Sequence, residues 1–430
     1  MNILVVGSGG REHALSWALK KNAGRELKLY CAPGNAGIQQ IAECVNIKAT
    51  DVAMMAAFAA EKRIDLTVVG SEAPLAAGMA DEFIERGLAI AGASRQAARL
   101  ESSKAFAKDF MARHNIPTAR YHIADSISEA QRVLSTGEFG GEDASAVIKA
   151  DGLAAGKGVI IARSRAQAQS AINDLMEGKL VEAEAARRIV IEETLTGPEA
   201  SLLLFSDGRD YQLMPAARDH KRVGENDTGP NTGGMGAITD SSVLDEETLR
   251  RVVSEVVEPT LEGARQEGFP FRGVLFIGLM LTPYGPRVLE YNVRFGDPEA
   301  QAILVRLQSD LVEVFEAVAR GGLGDCRVQW SNDSSACVVL ASRGYPAHPE
   351  TGDVIEGLEF AARDEHVQIF HAGTARSESG EWLTAGGRVL GVTASAPSLE
   401  NALEQCYQAV GQLHWDGMHY RRDIGRFSKQ

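Results

Sequence analysis

Four short apolar runs, Ile3–Val6, Leu27–Tyr30, Leu66–Val69 and Leu88–Ala91, punctuate the start of the chain. The first three run straight into turns: Gly7-Ser8-Gly9-Gly10, Ala32-Pro33-Gly34-Asn35 and Gly70-Ser71-Glu72. A helical pattern follows the first turn, from Arg11 to about Asn22. Strands of this length alternating with helices predict a parallel α/β sheet. The unit closes near Leu100–Ser102.

After Ser103 the rhythm changes. A helix is predicted over Ala105–His114, then a smaller α/β piece with strands at Ala146–Ala150, Val159–Ala162 and Ile189–Glu193 and a helix over Arg165–Glu177. A larger body follows: Glu199–Phe205, a Gly-rich loop at Asp227–Gly236, a helix over Glu246–Glu267, and paired strands Val274–Leu281 and Arg287–Arg294. From about Asp325 the chain is strand-rich, with turns at Gly344-Tyr345-Pro346 and Gly386-Gly387 and a helix over Leu399–Gly411. With 430 residues, two to four domains are expected.

Composition excludes several classes. Hydrophobic residues make up 44% and charged residues 24%, enough to build real cores. A net charge of −14 argues against a general nucleic-acid binder, although a local pocket of cations can still take a small anion. The five cysteines (Cys31, Cys44, Cys326, Cys337, Cys406) are scattered without CxxC spacing, which suits reduced thiols in a cytoplasmic protein. Asn2–Val6 lacks the basic lead and long apolar core of a signal peptide, and no run approaches the ~20 apolar residues of a membrane span.

The first glycine turn invites a dinucleotide reading, but the sixth position of GxGxxG is Glu12 and the second strand ends without the acid that binds an adenosine ribose. What remains is a helix N-terminus whose free N–H groups suit a phosphate, or a plain tight turn. Gly152-Leu-Ala-Ala-Gly156-Lys157-Gly158 is not a Walker loop: it lies between two strands, and Gly158 stands where a hydroxyl should meet magnesium. Such a hairpin lets backbone approach a ligand, with Lys149 on the incoming strand facing the same phosphates; an exposed hairpin is the alternative. Asp227–Gly236 could fold into an anion-binding nest or a surface loop.

Val288–Glu299 carries the most chemistry. Side chains alternate along a strand, so Glu290, Asn292 and Arg294 are expected on one face and Leu289, Tyr291 and Val293 in the core. A carboxylate and an amide carbonyl so spaced can lean together onto magnesium bound to phosphate oxygens. Arg294 adds a fork for a carboxylate or phosphoryl group. A half-exposed strand with polar residues outward is the competing reading, but Asn and Glu are poor strand formers.

Taken in order, these segments resemble the glycinamide ribonucleotide synthetase family of the ATP-grasp superfamily. The resemblance rests on Gly9–Leu15, Ala32–Gly37, Ile148–Val159, Asp219–Arg222, Asp227–Gly236, Arg294–Glu299, His371–Thr374 and Gly386–Val389. It implies an N-terminal α/β domain (1–102), an ATP-grasp domain (103–325) with a mobile lid at about 120–192, and a small strand-rich C-terminal domain (326–430). It further implies ATP contacts from Lys104, Lys149, Gly152, Gly156, Lys157, Gly158, Glu192, Glu193, Leu195 and Glu199. Gly9, Gly10, Arg11, Asp219, Lys221, Arg222 and Asp297 are implied to bind substrate, Glu290 and Asn292 to bind Mg²⁺ or Mn²⁺, and Arg294 and Lys149 to act in catalysis. Many ATP-grasp enzymes carry a further acidic ligand near Gly278-Leu279-Met280, which leaves the metal count open.

The implied reaction joins glycine to 5-phosphoribosylamine at the expense of ATP, through an acyl phosphate, in purine synthesis. Neither nucleic acid, membrane nor an obligate protein partner is expected. Competing readings are another ATP-grasp carboxylate–amine ligase, a nucleotide-binding regulator without turnover, and a nicotinamide dehydrogenase, the last disfavoured by Glu12.

Overall fold

The computed structural model describes residues 1–154, 158–182, 184–363 and 365–426. The N-terminal unit is a five-stranded parallel sheet in the order Glu43–Cys44, Lys28–Pro33, Asn2–Gly7, Leu66–Val69, Ile90–Ala91. Its central strand is buried on both faces. Leu4 and Val6 join one core, Ile3 and Val5 another, which is why that strand reads as an unbroken apolar run. The strand order reverses between Asn2–Gly7 and Leu66–Val69. Their carboxyl ends, Gly7 and Gly70, therefore flank the crevice where open α/β sheets bind ligands.

A second sheet is antiparallel, in the order Tyr121–Ala124, Ile189–Glu193, Ala146–Ala150, Val159–Ala162. The helices Ile127–Ser135 and Arg165–Met176 pack on it and share its own core, around Ile148, Ile172, Leu175 and Ile191. The helix Ile127–Ser135 is absent from the sequence reading, yet its start was marked. The Ser126 hydroxyl accepts from the Glu129 amide at 3.2 Å, and the Glu129 carboxylate accepts from the Asp125 amide at 3.0 Å.

The third sheet is antiparallel and the largest. Its order is Gly285–Asn292, Arg272–Thr282, Glu199–Asp207, Ala217–Asp219, Gly236–Thr239, Ser334–Ala341, Arg388–Ala396, Val367–His371. The strand Gly236–Thr239 pairs directly with Ser334–Ala341. Backbone hydrogen bonding thus crosses the line expected at 325/326, and the C-terminal strands extend the central sheet. The predicted helix Glu246–Glu267 runs from Glu246 to Gln266, with Val253–Val257 wound as a π-helix. All five cysteines are free. Among the described residues no helix is long and apolar enough to cross a membrane.

Candidate active site

The second and third sheets meet where Lys149, on the strand Ala146–Ala150, donates to the Leu289 carbonyl at 3.1 Å. Lys149 is also 2.8 Å from Glu192 Oε1, as an ion pair without hydrogen-bond alignment. Glu192 lies on the neighbouring strand, and its other oxygen is 3.0 Å from Lys108 Nζ. Lys108 reaches it from the helix Lys104–Arg113 and also donates to Thr118 Oγ1 at 2.7 Å. The Glu192 side chain is 2% exposed, and a carboxylate so buried is tolerable only because two ammonium groups close on it. Burial pulls the Lys108 pKa down to about 8 while Glu192 holds it up. Sequence reasoning missed Lys108. It lies four residues after Lys104 on the same helix face, a spacing that could have flagged it.

On the large sheet the expected alternation breaks at one residue. The ladder pairs Gly278 with Glu290 and Leu279 with Val288, leaving Leu289 as a bulge. Val288 therefore takes the core place expected for Leu289, which is only half-buried, while Tyr291 and Val293 are buried as expected. The bulge turns the Leu289 carbonyl toward Lys149. Beyond it Glu290 and Asn292 keep a common face, and Asn292 Oδ1 accepts from Arg294 Nη2 at 3.0 Å. Arg294 pairs with Glu101 at 2.7 Å and Glu72 at 3.2 Å, and Glu101 also accepts from the Val293 amide at 2.7 Å. Burial opposes the Arg294 charge, but Glu101 and Glu72, with Glu299 and Glu290 beyond them, more than offset it and raise its pKa. Glu101 was not foreseen.

Burial also opposes the charge on Glu290, yet Lys221, Lys149, Lys104 and Arg294 together hold its pKa below the ordinary range. Lys221 is 2.5 Å from Glu199 Oε2. Asp219 responds the other way. Burial, with Glu199 and Glu290 nearby, pushes its pKa up to about 6 despite Lys221. Burial and Asp219 together raise Glu299, a residue of the Arg294–Glu299 segment to which the sequence reading gave no role. Gly278 faces Glu290 across the ladder, where a Cβ would lie 3.3 Å from Glu290 Cγ. Space beside the carboxylate is kept clear. Among the described residues no three His, Cys, Asp or Glu side chains gather as a cage for a metal ion. Glu290 and Asn292 instead offer two oxygen donors, which suits a magnesium ion that takes its remaining ligands from phosphates and water.

Asp151 anchors the expected lid loop. Its Oδ1 accepts from the Ser103 hydroxyl and the Ala105 amide, both at 2.8 Å, and Arg188 grips its Oδ2 at 2.6 Å. Gly152 donates its amide to the Ala185 carbonyl at 2.8 Å, and a Cβ there would lie 2.8 Å from Ala185 Cα. Gly158 returns the chain, its carbonyl accepting from Ala150 at 2.8 Å. Gly156 and Lys157 lie outside the described residues. Glu193 pairs with Arg120 at 2.8 Å, and Leu195 is half-buried in the connector from the second sheet to the third.

In the N-terminal crevice Glu12 links the glycine turn to Arg11. The Gly9 amide donates to Glu12 Oε2 at 2.6 Å, so one of the N–H groups at the start of the helix Gly10–Lys21 is already taken by the helix's own third residue. Arg11 points its Nε to Glu12 at 2.7 Å and its Nη1 to the Phe295 carbonyl at 3.1 Å. Glu12 fills the space that glycines leave: a Cβ on Gly70 would lie 2.2 Å from its Oε1, and one on Gly7 2.6 Å from its Cδ. Gly10 in turn makes room for Gln301, whose Nε2 would lie 2.7 Å from a Cβ there. Asp297 faces Gly9 and is held by Arg388 at 3.1 Å and by Gln301 at 2.8 Å.

In the loop Asp227–Gly236 four successive amides are bonded within the protein: Thr232 to the Lys221 carbonyl, Gly233 to Tyr345 Oη, Gly234 to Thr232 Oγ1 and Met235 to the His220 carbonyl. Arg222 donates to the Gly229 carbonyl at 2.8 Å and braces this loop. Arg388, within the quoted segment Gly386–Val389 but given no role, bonds the carbonyls of Gly233 and Asp297 from the C-terminal strands.

Two antiparallel sheets closing on a row of lysines and carboxylates, next to a parallel α/β unit, define the ATP-grasp class. Family models describe residues 1–101 as the N domain, 102–300 as the ATP-grasp (A) domain and 335–427 as the C domain of phosphoribosylglycinamide synthetase. The chain belongs to the phosphoribosylglycinamide synthetase family. The phosphoribosylamine–glycine ligase of Mesorhizobium japonicum is 47% identical, over 99% of this chain and 98% of that one. That of Vibrio cholerae is 46% identical, over 99% and 98%. The solved structure of the Thermotoga maritima phosphoribosylamine–glycine ligase superposes with a TM-score of 0.85 at 33% identity, covering 98% of this chain and 100% of that one. Campylobacter jejuni biotin carboxylase shares the fold, with a TM-score of 0.71 at 14% identity over 97% and 92% of the two chains.

Proposed function

We propose that this chain joins glycine to 5-phosphoribosylamine at the cost of ATP, giving glycinamide ribonucleotide, ADP and phosphate in purine biosynthesis. The observation that carries the reading is the convergence of Lys104, Lys149, Lys221 and Arg294 on Glu290 where the two sheets meet. In the bound state, Lys149 exchanges its Glu192 partner for polyphosphate oxygens and Lys104 reaches the same phosphates, with Gly152 and Gly158 bringing lid backbone close. The connector through Glu193 and Leu195 borders the adenine, and Glu199 takes the ribose hydroxyls. Glu290 and Asn292 would hold a magnesium or manganese ion, which neutralises phosphate charge.

A glycine carboxylate oxygen attacks the γ-phosphorus, the bond to the ADP oxygen breaks, and glycyl phosphate forms. The amine nitrogen of phosphoribosylamine then attacks the acyl carbon. The carbon–oxygen bond to phosphate breaks, phosphate leaves, and the nitrogen loses a proton. Arg294 steadies the transferring phosphoryl and carboxylate groups with its guanidinium fork. Catalysis of this kind rests on placement and preorganised charge and needs no protein nucleophile. ADP release measured with each substrate omitted in turn tests the reading. Turnover that proceeds without glycine, or without phosphoribosylamine, would count against it.

A further inference from the structure

The crevice at the carboxyl ends of the parallel strands holds a cavity of about 430 Å³, within the roughly 300–1,000 Å³ usual for small-ligand sites. Ser8, Gly9, Lys48, Thr50, Ser71 and Asp297 are among the residues that line it. A sugar phosphate entering here needs a cationic end, and the nearest guanidinium is engaged elsewhere. Arg11 bonds to Glu12 and the Phe295 carbonyl, and Glu12 also takes the Gly9 amide at the start of the first helix. Lys48 is the other cation on the cavity wall. It is exposed, and its ammonium makes no ion pair or hydrogen bond among the described residues.

The loop around Lys48 is held in place by its own bonds. The Asp51 amide donates to the Lys48 carbonyl at 2.9 Å, and the Asp51 carboxylate caps its own helix at the Met54 amide, 3.2 Å away. The loop is therefore fixed while the Lys48 ammonium stays free. Asp297, from the ATP-grasp domain, stands beside Glu12 as a second carboxylate on the cavity wall and is oriented by Arg388 and Gln301. A cation on one wall and a braced carboxylate on another match a ligand with a phosphate at one end and hydroxyls and an amine on its ring.

We propose that Lys48, with the Thr50 hydroxyl beside it, binds the 5′-phosphate of the sugar-phosphate substrate, while Asp297 bonds the ribose. The assignment rests on the ligase reading above and places the phosphate on the loop of residues 48–50, whereas the sequence suggests the N-terminus of the first helix. It predicts that Lys48→Ala raises the KM for phosphoribosylamine on the order of tenfold or more, as loss of a charge-assisted hydrogen bond should. The KM values for ATP and glycine stay unchanged, and Lys48→Arg recovers most of the loss.

A calorimetric titration with ribose 5-phosphate supplies the second measurement. The wild type binds it, Lys48→Ala binds it at least about tenfold more weakly, and unphosphorylated ribose does not distinguish the two proteins. Equal ribose 5-phosphate affinity in wild type and Lys48→Ala, with weakened binding in a folded Arg11→Ala, overturns the assignment and returns the phosphate to the first helix. Wild-type protein that releases no ADP with glycine and phosphoribosylamine would defeat the ligase reading instead. The ribose 5-phosphate titration decides the Lys48 contact in either case.

Discussion

The junction of the two antiparallel sheets and the crevice above the parallel sheet handle charge in opposite ways. At the junction, cations and carboxylates are stored against one another: Lys108 and Lys149 on Glu192, Arg294 on Glu101 and Glu72, Lys221 on Glu199. Ligand binding there is an exchange of partners, and each exchange leaves a charge uncompensated unless a phosphate or metal takes its place. In the crevice, space is made by removing side chains. Gly7, Gly9, Gly10 and Gly70 have no Cβ, and Glu12 fills the gap and satisfies the helix end. One region is an electrostatic device and the other a steric one, so they should fail differently when altered.

The largest effect is expected at the electrostatic end. Glu290→Gln keeps shape and removes the charge that opposes four cations. Loss of one preorganised contact of this kind costs on the order of 10²–10³ in turnover. The melting temperature should fall only modestly, since the four cations lose a partly exposed carboxylate while the fold persists. Near-normal ADP formation across a magnesium titration would falsify the assignment of Glu290 to the metal. Glu192→Gln tests storage more than catalysis, because it strands Lys108 and Lys149 together. Breaking a buried pair costs about 3–5 kcal/mol, and the readiness of Lys108 to lose its proton, with a pKa near 8, places the result toward the lower figure. Adding Lys108→Met should restore part of the loss in denaturant unfolding, and an additive double variant would show that the two residues do not act as a pair.

These two regions were also unequally legible in the sequence. Strand Asn2–Gly7, strand Ala146–Ala150 and the Glu290–Asn292 face follow from apolar runs and alternation, which are local signals. Lys108, Glu101, Asp151 and Arg388 act through partners 84, 193, 37 and 91 residues away, at Glu192, Arg294, Arg188 and Asp297. Such pairs leave no periodic trace. The bulge at Leu289 was hidden for a related reason, since strand parity can be read from sequence only while the ladder stays regular. Glu12 did leave a signal. Its presence in place of glycine excluded a dinucleotide site, and the structure adds that its carboxylate occupies the helix end.

The steric region should respond to a single methyl group. Gly70→Ala places a Cβ 2.2 Å from Glu12 Oε1, so the carboxylate must leave Gly9 and Arg11 or the backbone must shift. Overpacking of this kind costs about 1–3 kcal/mol. The comparison predicts lowered stability and a raised KM for phosphoribosylamine, with ATP affinity retained. Gly278→Ala serves as the contrast, since its Cβ would meet Glu290 Cγ at 3.3 Å, a milder contact on the electrostatic side. If Gly70→Ala weakened ATP as much as phosphoribosylamine, the two regions would not be separable.

Acid should separate the regions by a smaller amount, because uncharged imidazoles join the first helix, beside the crevice, to the C-terminal strand Val367–His371. His13, on the first helix, accepts the His371 amide at 2.8 Å through Nδ1, so that nitrogen must carry no proton. Burial, reinforced by His371, lowers the His13 pKa from 6.5 to about 3, and burial lowers that of His371 from 6.5 to about 4. A histidine with a depressed folded pKa binds more protons when the contact opens. The closed state is therefore fully stabilised above pH 6.5 and loses stability as pH falls from there toward 3. At pH 5 the loss is about 2 kcal/mol for each such group, from about 1.4 kcal/mol per pH unit below 6.5. Glu290 at the junction, with its pKa held below the ordinary carboxylate range, keeps its charge through the same interval. Hydrogen exchange at the His371 amide, corrected for intrinsic rate, should lose roughly thirtyfold of its protection between pH 7 and pH 5 if His13 alone titrates on opening. His13→Asn retains an acceptor for that amide and removes the titrating ring, so its protection should change less over the same interval. Equal pH dependence in the variant and the wild type would mean that neutral His13 does not hold the His371 amide.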